Sequence, residues 1–189
     1  MKYIVFDIET TTAVGPGELT DMDISVVSLY SSETNSLMSF TVDEFKEMWK
    51  HFETADVVIG YNNDHFDMPI LNKYYAGDLT QIRSIDILAE IKKSYGRRVK
   101  LDDIAKATLN HQKSGHGLQA VEWWEQGEIE KIKKYCEDDV KLTHDIYLFA
   151  KENKYLNLIT FSGDKIKIEI NTDDWETKEN TGLTFSMGF

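Results

Sequence analysis

Tyr3-Ile4-Val5-Phe6-Asp7-Ile8-Glu9-Thr10 decides how the fold is read. It opens on a largely apolar run, the pattern of a strand buried on both faces in the middle of a sheet. Side chains alternate along a strand, so Asp7 and Glu9 leave it on the same face. Two carboxylates side by side at the end of a buried strand repel each other and lose hydration. That is costly unless a cation joins them. Oxygen donors of this kind suit a hard divalent ion, Mg²⁺ or Mn²⁺. The plainer alternative is a helix cap or a water-facing loop. Asp-x-Glu is a common tripeptide, so the metal reading needs partners elsewhere in the chain.

The chain has 189 residues, of which 41% are hydrophobic, enough for one domain with a sizeable core. It shows no internal repeat or low-complexity stretch. No segment approaches a membrane span, and the opening strand does not read as a signal peptide. The single cysteine, Cys136, excludes an intrachain disulfide and a multi-cysteine zinc site. A cytoplasmic, reducing location is the expectation. The net charge of −12 argues against non-specific binding of nucleic acid over the whole surface. It does not argue against an enzyme that grips a strand end through metals, because metals neutralise local carboxylates. One block is basic: Lys92, Lys93, Arg97, Arg98 and Lys100. It reads as a solvated helix end and loop, with a phosphate-contacting patch as the alternative.

Beyond the opening strand, a loop with Gly15-Pro16-Gly17 leads to strands at Ile24 to Tyr30 and Leu37 to Thr41, an antiparallel meander. Val42 to Glu53 reads as a helix with Phe45, Trp49 and Phe52 on one face. Val57-Val58-Ile59-Gly60 is a short buried strand. Met68 to Tyr75 starts a helix, Pro69 being tolerated in its first turn. Ile85 to Lys93 is a strand or a helix, helical by its end. Leu101 to Leu109 is helical, 110–117 is a polar loop, and Glu128 to Ala150 is a long helix. Its inner side is marked by Ile132, Tyr135, Cys136, Val140 and Leu142. Leu158 to Phe161 and Lys165 to Ile170 flank Ser162-Gly163-Asp164 as a hairpin. Residues 171–189 take no assignment. A meander followed by alternating helices and strands predicts an α/β fold, a mixed sheet with helices on both faces plus a C-terminal hairpin.

Two further constellations answer the opening pair. Gly60-Tyr61-Asn62-Asn63-Asp64-His65-Phe66-Asp67 follows a buried strand and precedes a helix, where ligand groups gather in such sheets. Asp67 at the helix start is favoured by backbone amides, although a plain N-cap is the bland reading. Asn62 either bridges the turn or reaches a substrate. Phe66 either stacks on a base or packs in the core. His65 reads as facing water or capping locally. In Tyr135-Cys136-Glu137-Asp138-Asp139, Tyr135 and Asp139 are four apart and share a helical face, while Glu137 and Asp138 read as solvated. Alone, Tyr-xxx-Asp is more often a half-buried tyrosine beside a surface carboxylate. His111 and His116 flank Lys113 in the polar loop. With one cysteine in the chain a zinc site is not expected there.

Together the three motifs resemble those of the DEDD superfamily of 3′–5′ exonucleases, which have a ribonuclease H-like fold. Asp7-Ile8-Glu9, Asn62 to Phe66-Asp67, and Tyr135 to Asp139 occur in the family's order and contexts. The tyrosine in the third motif points to the tyrosine subgroup. Gly60-Tyr61-Asn62, Phe66-Asp67-x-Pro69 and Tyr135-Cys136-x-x-Asp139-Val140 look most like the exonuclease domain of family B DNA polymerases and the stand-alone YprB-type exonucleases. The resemblance implies a ribonuclease H-like exonuclease domain over residues 1–151, with hairpin and tail, 152–189, packed on it. It implies two divalent ions, Mg²⁺ or Mn²⁺, held by Asp7, Glu9, Asp67 and Asp139. Tyr135 would orient the attacking water, since an unperturbed phenol ionises only near pH ~10. Ile8, Thr10, Asn62 and Phe66 would contact substrate. The implied reaction removes nucleoside 5′-monophosphates from a single-stranded 3′ end, DNA ahead of RNA, with a polymerase or helicase as a conceivable partner and no membrane. The alternatives are an RNA-directed exoribonuclease and a silent nucleic-acid-binding domain. A ribonuclease H-like endonuclease or resolvase is disfavoured by the Tyr-xxx-Asp pairing.

Overall fold

In a computed structural model of the chain, residues 1–15, 17–111, 118–175 and 177 are described. The opening run forms β1 (Tyr3–Thr10). It pairs antiparallel with β2 (Ile24–Ser31), which pairs antiparallel with β3 (Ser36–Phe40). Its other edge pairs in parallel with β4 (Val57–Gly60), which pairs in parallel with β5 (Ser84–Asp86). The sheet order β3-β2-β1-β4-β5 puts the apolar run at its centre. Parallel pairing needs a covering crossover, and α1 (Phe45–Thr54) supplies the one between β1 and β4.

Alternation along β1 sorts its side chains between two cores. Ile4, Phe6 and Ile8 join Phe45, Met48 and Phe52 of α1 and Met68, Ile70 and Leu71 of α2 (Asp67–Leu71). Phe6 meets Phe52 edge-on at 5.1 Å between ring centres. On the other face, Val5 joins residues of α3 (Ile87–Tyr95), α4 (Leu101–Leu109) and α6 (Ile129–Asn153). Helix α5 (Leu118–Glu125) precedes α6 and places Ala120 against Val26, Ile132, Tyr135 and Cys136.

Several elements differ from their sequence expectations. The helix expected over Met68 to Tyr75 is α2 followed by a 3-10 turn at Asn72–Tyr74. The segment from Ile85 divides, with Asp86 ending β5 and capping α3 through N–H groups of Leu88 and Ala89. Helix α5 was not expected. The polar loop at 110–117 lies outside the described residues except for 110 and 111. So do Lys113 and His116.

The hairpin is β6 (Tyr155–Ile159) with β7 (Lys165–Glu169), beginning earlier than its apolar alternation indicates. Leu156, Leu158, Ile168 and Ile170 join the core of the α6 face. Thr108 of α4 exchanges hydrogen bonds with the backbone of Asn157, at 3.2 and 3.0 Å. Trp175 then stacks on Tyr147 with ring centres 5.3 Å apart. The Arg83 guanidinium ties down the same segment by donating to the carbonyls of Asp174 and Thr177.

Candidate metal centre

Asp7 and Glu9 are half-buried and leave β1 on the face that α6 covers. From α6, Cys136 and Asp139 come to meet them. The Cys136 thiol donates to the Asp7 carbonyl at 3.3 Å and reaches Asp7 Oδ2 at 3.6 Å. Burial, then the charges of Asp7 and Glu9, push that thiol well above its usual range, so it remains a donor. Carboxylate oxygens of Asp7, Glu9 and Asp139 lie within 4.8 Å of one another. Asp139 is buried, at 6% exposure. Three hard oxygen donors converging in this way fit a divalent ion such as Mg²⁺ or Mn²⁺.

Strand β1 is irregular at this point. Its register on β2 slips between Glu9 and Thr10, and the Ser25 hydroxyl donates to the Glu9 carbonyl at 3.0 Å. A bulge re-aims the side chains beside it.

Asp67 approaches β1 from the other edge. Pairing with β4 ends at Val5 opposite Ile59, so Ile8 lies beyond the last strand partner on that side. The Ile8 N–H instead donates to Asp67 Oδ1 at 3.2 Å. Asp67 is 4% exposed, and burial pushes its carboxyl up to about 7, the Ile8 hydrogen bond opposing and the Asp86 charge adding to the rise. A carboxylate desolvated this strongly is stabilised by a cation. Among the described residues Asp67 does not join the three-oxygen cluster, but its contact with Ile8 puts it against the backbone between Asp7 and Glu9.

The loop that delivers Asp67 is tightly held. A Cβ on Gly60 would lie 2.6 Å from Asn63 Cβ, so the close approach requires glycine. Asn63 is fully buried, its side-chain amide donating to Ser84 Oγ at 2.7 Å and its backbone carbonyl accepting from Met68 N at 2.8 Å. Asn62 adopts φ +72°, a left-handed conformation that asparagine tolerates. Asp86, at 6% exposure, accepts from the N–H groups of Asn62 at 2.8 Å and Asp64 at 3.3 Å, as well as capping α3. Burial raises its carboxyl, and those amide donors oppose the rise.

Tyr135 is buried one turn before Asp139, among Val26, Ala120 and Ile132 and edge-on to Trp123 at 6.0 Å. Of the expected substrate contacts, Asn62 and Phe66 are half-buried on the loop, Phe66 packing against the core beneath it. The Ile8 side chain is core, and the Thr10 hydroxyl donates to the Thr12 carbonyl at 2.8 Å. His65 is exposed, as expected. Glu137 departs from its solvated reading, because it is half-buried and accepts from Ser39 Oγ at 2.8 Å. Ser39 bonds to Ser28, which is opposite Asp7 on β2. The packing of α6 beside β3 brings the glutamate within reach of that hydroxyl.

Asp86 and the Cys136 thiol have no assigned role in the sequence, and Arg98 enters it only as part of the basic block, whose alternative reading is a phosphate-contacting patch. Asp86 had a readable signal, a short apolar run, an aspartate, then a helical pattern, which is the mark of an N-cap.

A family model described as the RNase H superfamily matches residues 4–150. A DNA polymerase from Archaeoglobus fulgidus is 25% identical over 193 residues, covering 80% of this chain and 23% of the polymerase. The family B DNA polymerase of Pyrobaculum calidifontis superposes with a TM-score of 0.62 at 19% identity, over 79% of this chain and 24% of that one. The chain thus spans about a quarter of the length of these polymerases.

Proposed function

Because the chain belongs to the RNase H superfamily, we propose that it is a metal-dependent 3′–5′ exonuclease. The observation that carries this reading is the convergence of Asp7, Glu9 and Asp139 oxygens within 4.8 Å. Superfamily membership and the likeness to polymerases support a nuclease in general. The direction of attack rests on Tyr135 preceding Asp139 by one turn, and on Asp67 flanking β1.

Asp7, Glu9, Asp67 and Asp139 would hold two divalent ions, whose chemistry is to activate water and to stabilise charge on the scissile phosphate and the leaving 3′ oxygen. The side chains do the positioning. Asp67 fixes the loop to β1 through the Ile8 N–H, a hydrogen bond that ties its half of the carboxylate set to the strand bearing Asp7 and Glu9. Cys136 holds Asp7 from behind. Tyr135, one turn before Asp139 on α6, would hydrogen-bond the attacking water and align it with phosphorus. The product is a nucleoside 5′-monophosphate. DNA is the preferred substrate because the similar proteins are DNA polymerases. A separate polymerase or helicase would deliver the strand end.

The test uses 5′-labelled single-stranded DNA and RNA with Mg²⁺ or Mn²⁺. A ladder shortening from the 3′ end is expected, lost with EDTA and in Asp7→Ala. Intact substrates with every metal, or internal cuts, would contradict the proposal.

A further inference from the structure

An exonuclease with a net charge of −12 must still hold a polyanion. Many of its described lysines are matched by acids, as Lys93 is by Glu90 and Lys134 by Asp138. Arg97, Arg98 and Lys100 are among the basic residues that are not. All three are exposed, and among the described residues none has a carboxylate within ion-pair distance.

Arg98 is also oriented. One of its nitrogens donates to Asn62 Oδ1 at 2.7 Å, which turns the guanidinium toward the loop ending in Asp67. Asn62 is itself fixed by Asp86 through its N–H. The segment behind Arg98 is fixed by the Tyr61 hydroxyl, which donates to the Val99 carbonyl at 2.8 Å. Between these supports runs an open cleft of about 510 Å³. Leu88, Val99 and Leu101 give it an apolar wall, Arg98 and Lys100 a cationic rim, and Asp102 its one acid. An apolar wall under a cationic rim fits a nucleotide, with sugar and base against the wall and phosphate on the guanidinium.

We propose that this cleft is a subsite for the nucleotide preceding the terminal one, with Arg98 contacting a phosphate one or two linkages upstream of the bond that is cut. The assignment rests on the exonuclease reading above. Arg98 is here a substrate-binding residue, outside the reacting centre.

A kinetic cycle on the full chain tests it. Initial rates of 3′ shortening are measured for wild type, Arg98→Ala and Arg98→Lys on a ten-residue thymidine oligonucleotide. The same oligonucleotide is then used with one neutral methylphosphonate at the second or third linkage from the 3′ end. Losing a single charge-assisted contact should raise KM about ten-fold in Arg98→Ala, with kcat nearly constant. Arg98→Lys should fall between. In wild type, one of the two methylphosphonates should raise KM to a similar degree, and Arg98→Ala should lose nothing more on that oligonucleotide. Unchanged KM in Arg98→Ala, or additive losses at both linkages, would overturn the subsite while the exonuclease reading stands. If wild type shortens no oligonucleotide, the reading fails and takes the subsite with it.

Discussion

Asp67 is buried at the start of α2, and its carboxyl holds its proton up to about pH 7, whereas an ordinary aspartate releases it near 3.8. Between those values the native state binds more protons than the unfolded chain. Stability contributed by the neutral form is therefore present at low pH and is lost as pH rises toward 7. Thermal melts of the metal-free protein should show a lower Tm at pH 8 than at pH 5.5, and Asp67→Asn should flatten the difference. Added Mg²⁺ should restore more at pH 8 than at pH 5.5, because it stabilises the charged form. A Tm that rises with pH across this window would contradict the assignment. Tyr135 gives a second test. Tyr135→Phe keeps the ring against Trp123, so the fold should persist while turnover falls roughly ten- to hundred-fold. Circular dichroism and single-turnover rates separate the two effects. The shared face of Asp7 and Glu9 was legible because strand alternation is a local rule. That Asp67 caps the Ile8 N–H was not, because it depends on where β4 stops pairing.

At the scale of elements, Asp86 joins three of them. Its carboxylate accepts N–H groups from the loop after β4 and from the first turn of α3, while its backbone ends β5. Asp86→Ala should cost roughly 3 kcal/mol or more, since buried donors lose their acceptor. Urea titration measures that cost, and the released loop should lower Mn²⁺ affinity. A fully stable Asp86→Ala protein would show that the loop is held otherwise. Helices α4 and α6 were legible through regular apolar spacing, visible as Leu101, Ile104 and Ala105 and as Ile132, Cys136 and Val140. Helix α5 was not. Only Ala120 of Leu118–Glu125 is buried, and Leu118 and Trp124 are exposed, so its apolar residues do not mark one buried face. The division at Asp86 is obscured for another reason: Ile85, Ile87 and Leu88 are all core residues of two successive elements, and their apolar run outweighs the N-cap signal of the aspartate within it.

At the scale of the molecule, the first strand and the segment after the hairpin share one core. Tyr3 and Tyr147 pack at 5.4 Å, and Trp175 stacks on Tyr147. Trp175→Ala should destabilise the protein by about 3–5 kcal/mol in urea titration, the loss expected for a buried large aromatic. Sequence periodicity indicated a mixed sheet with helices on both faces. It carried no information on the strand order, which depends on contacts between distant segments. It also gave no place to Trp175, whose partner lies on α6. The order β3-β2-β1-β4-β5 is what brings the end of β1 beside both the Asp67 loop and α6. The proposed role of this convergence is to hold divalent cations. Anomalous scattering from a crystal soaked in Mn²⁺ and a nucleoside 5′-monophosphate tests it most directly. Manganese peaks are expected among Asp7, Glu9, Asp67 and Asp139, and are expected to be absent in Asp7→Ala crystals. A well-ordered wild-type crystal with no manganese there, or with manganese only elsewhere, would contradict it.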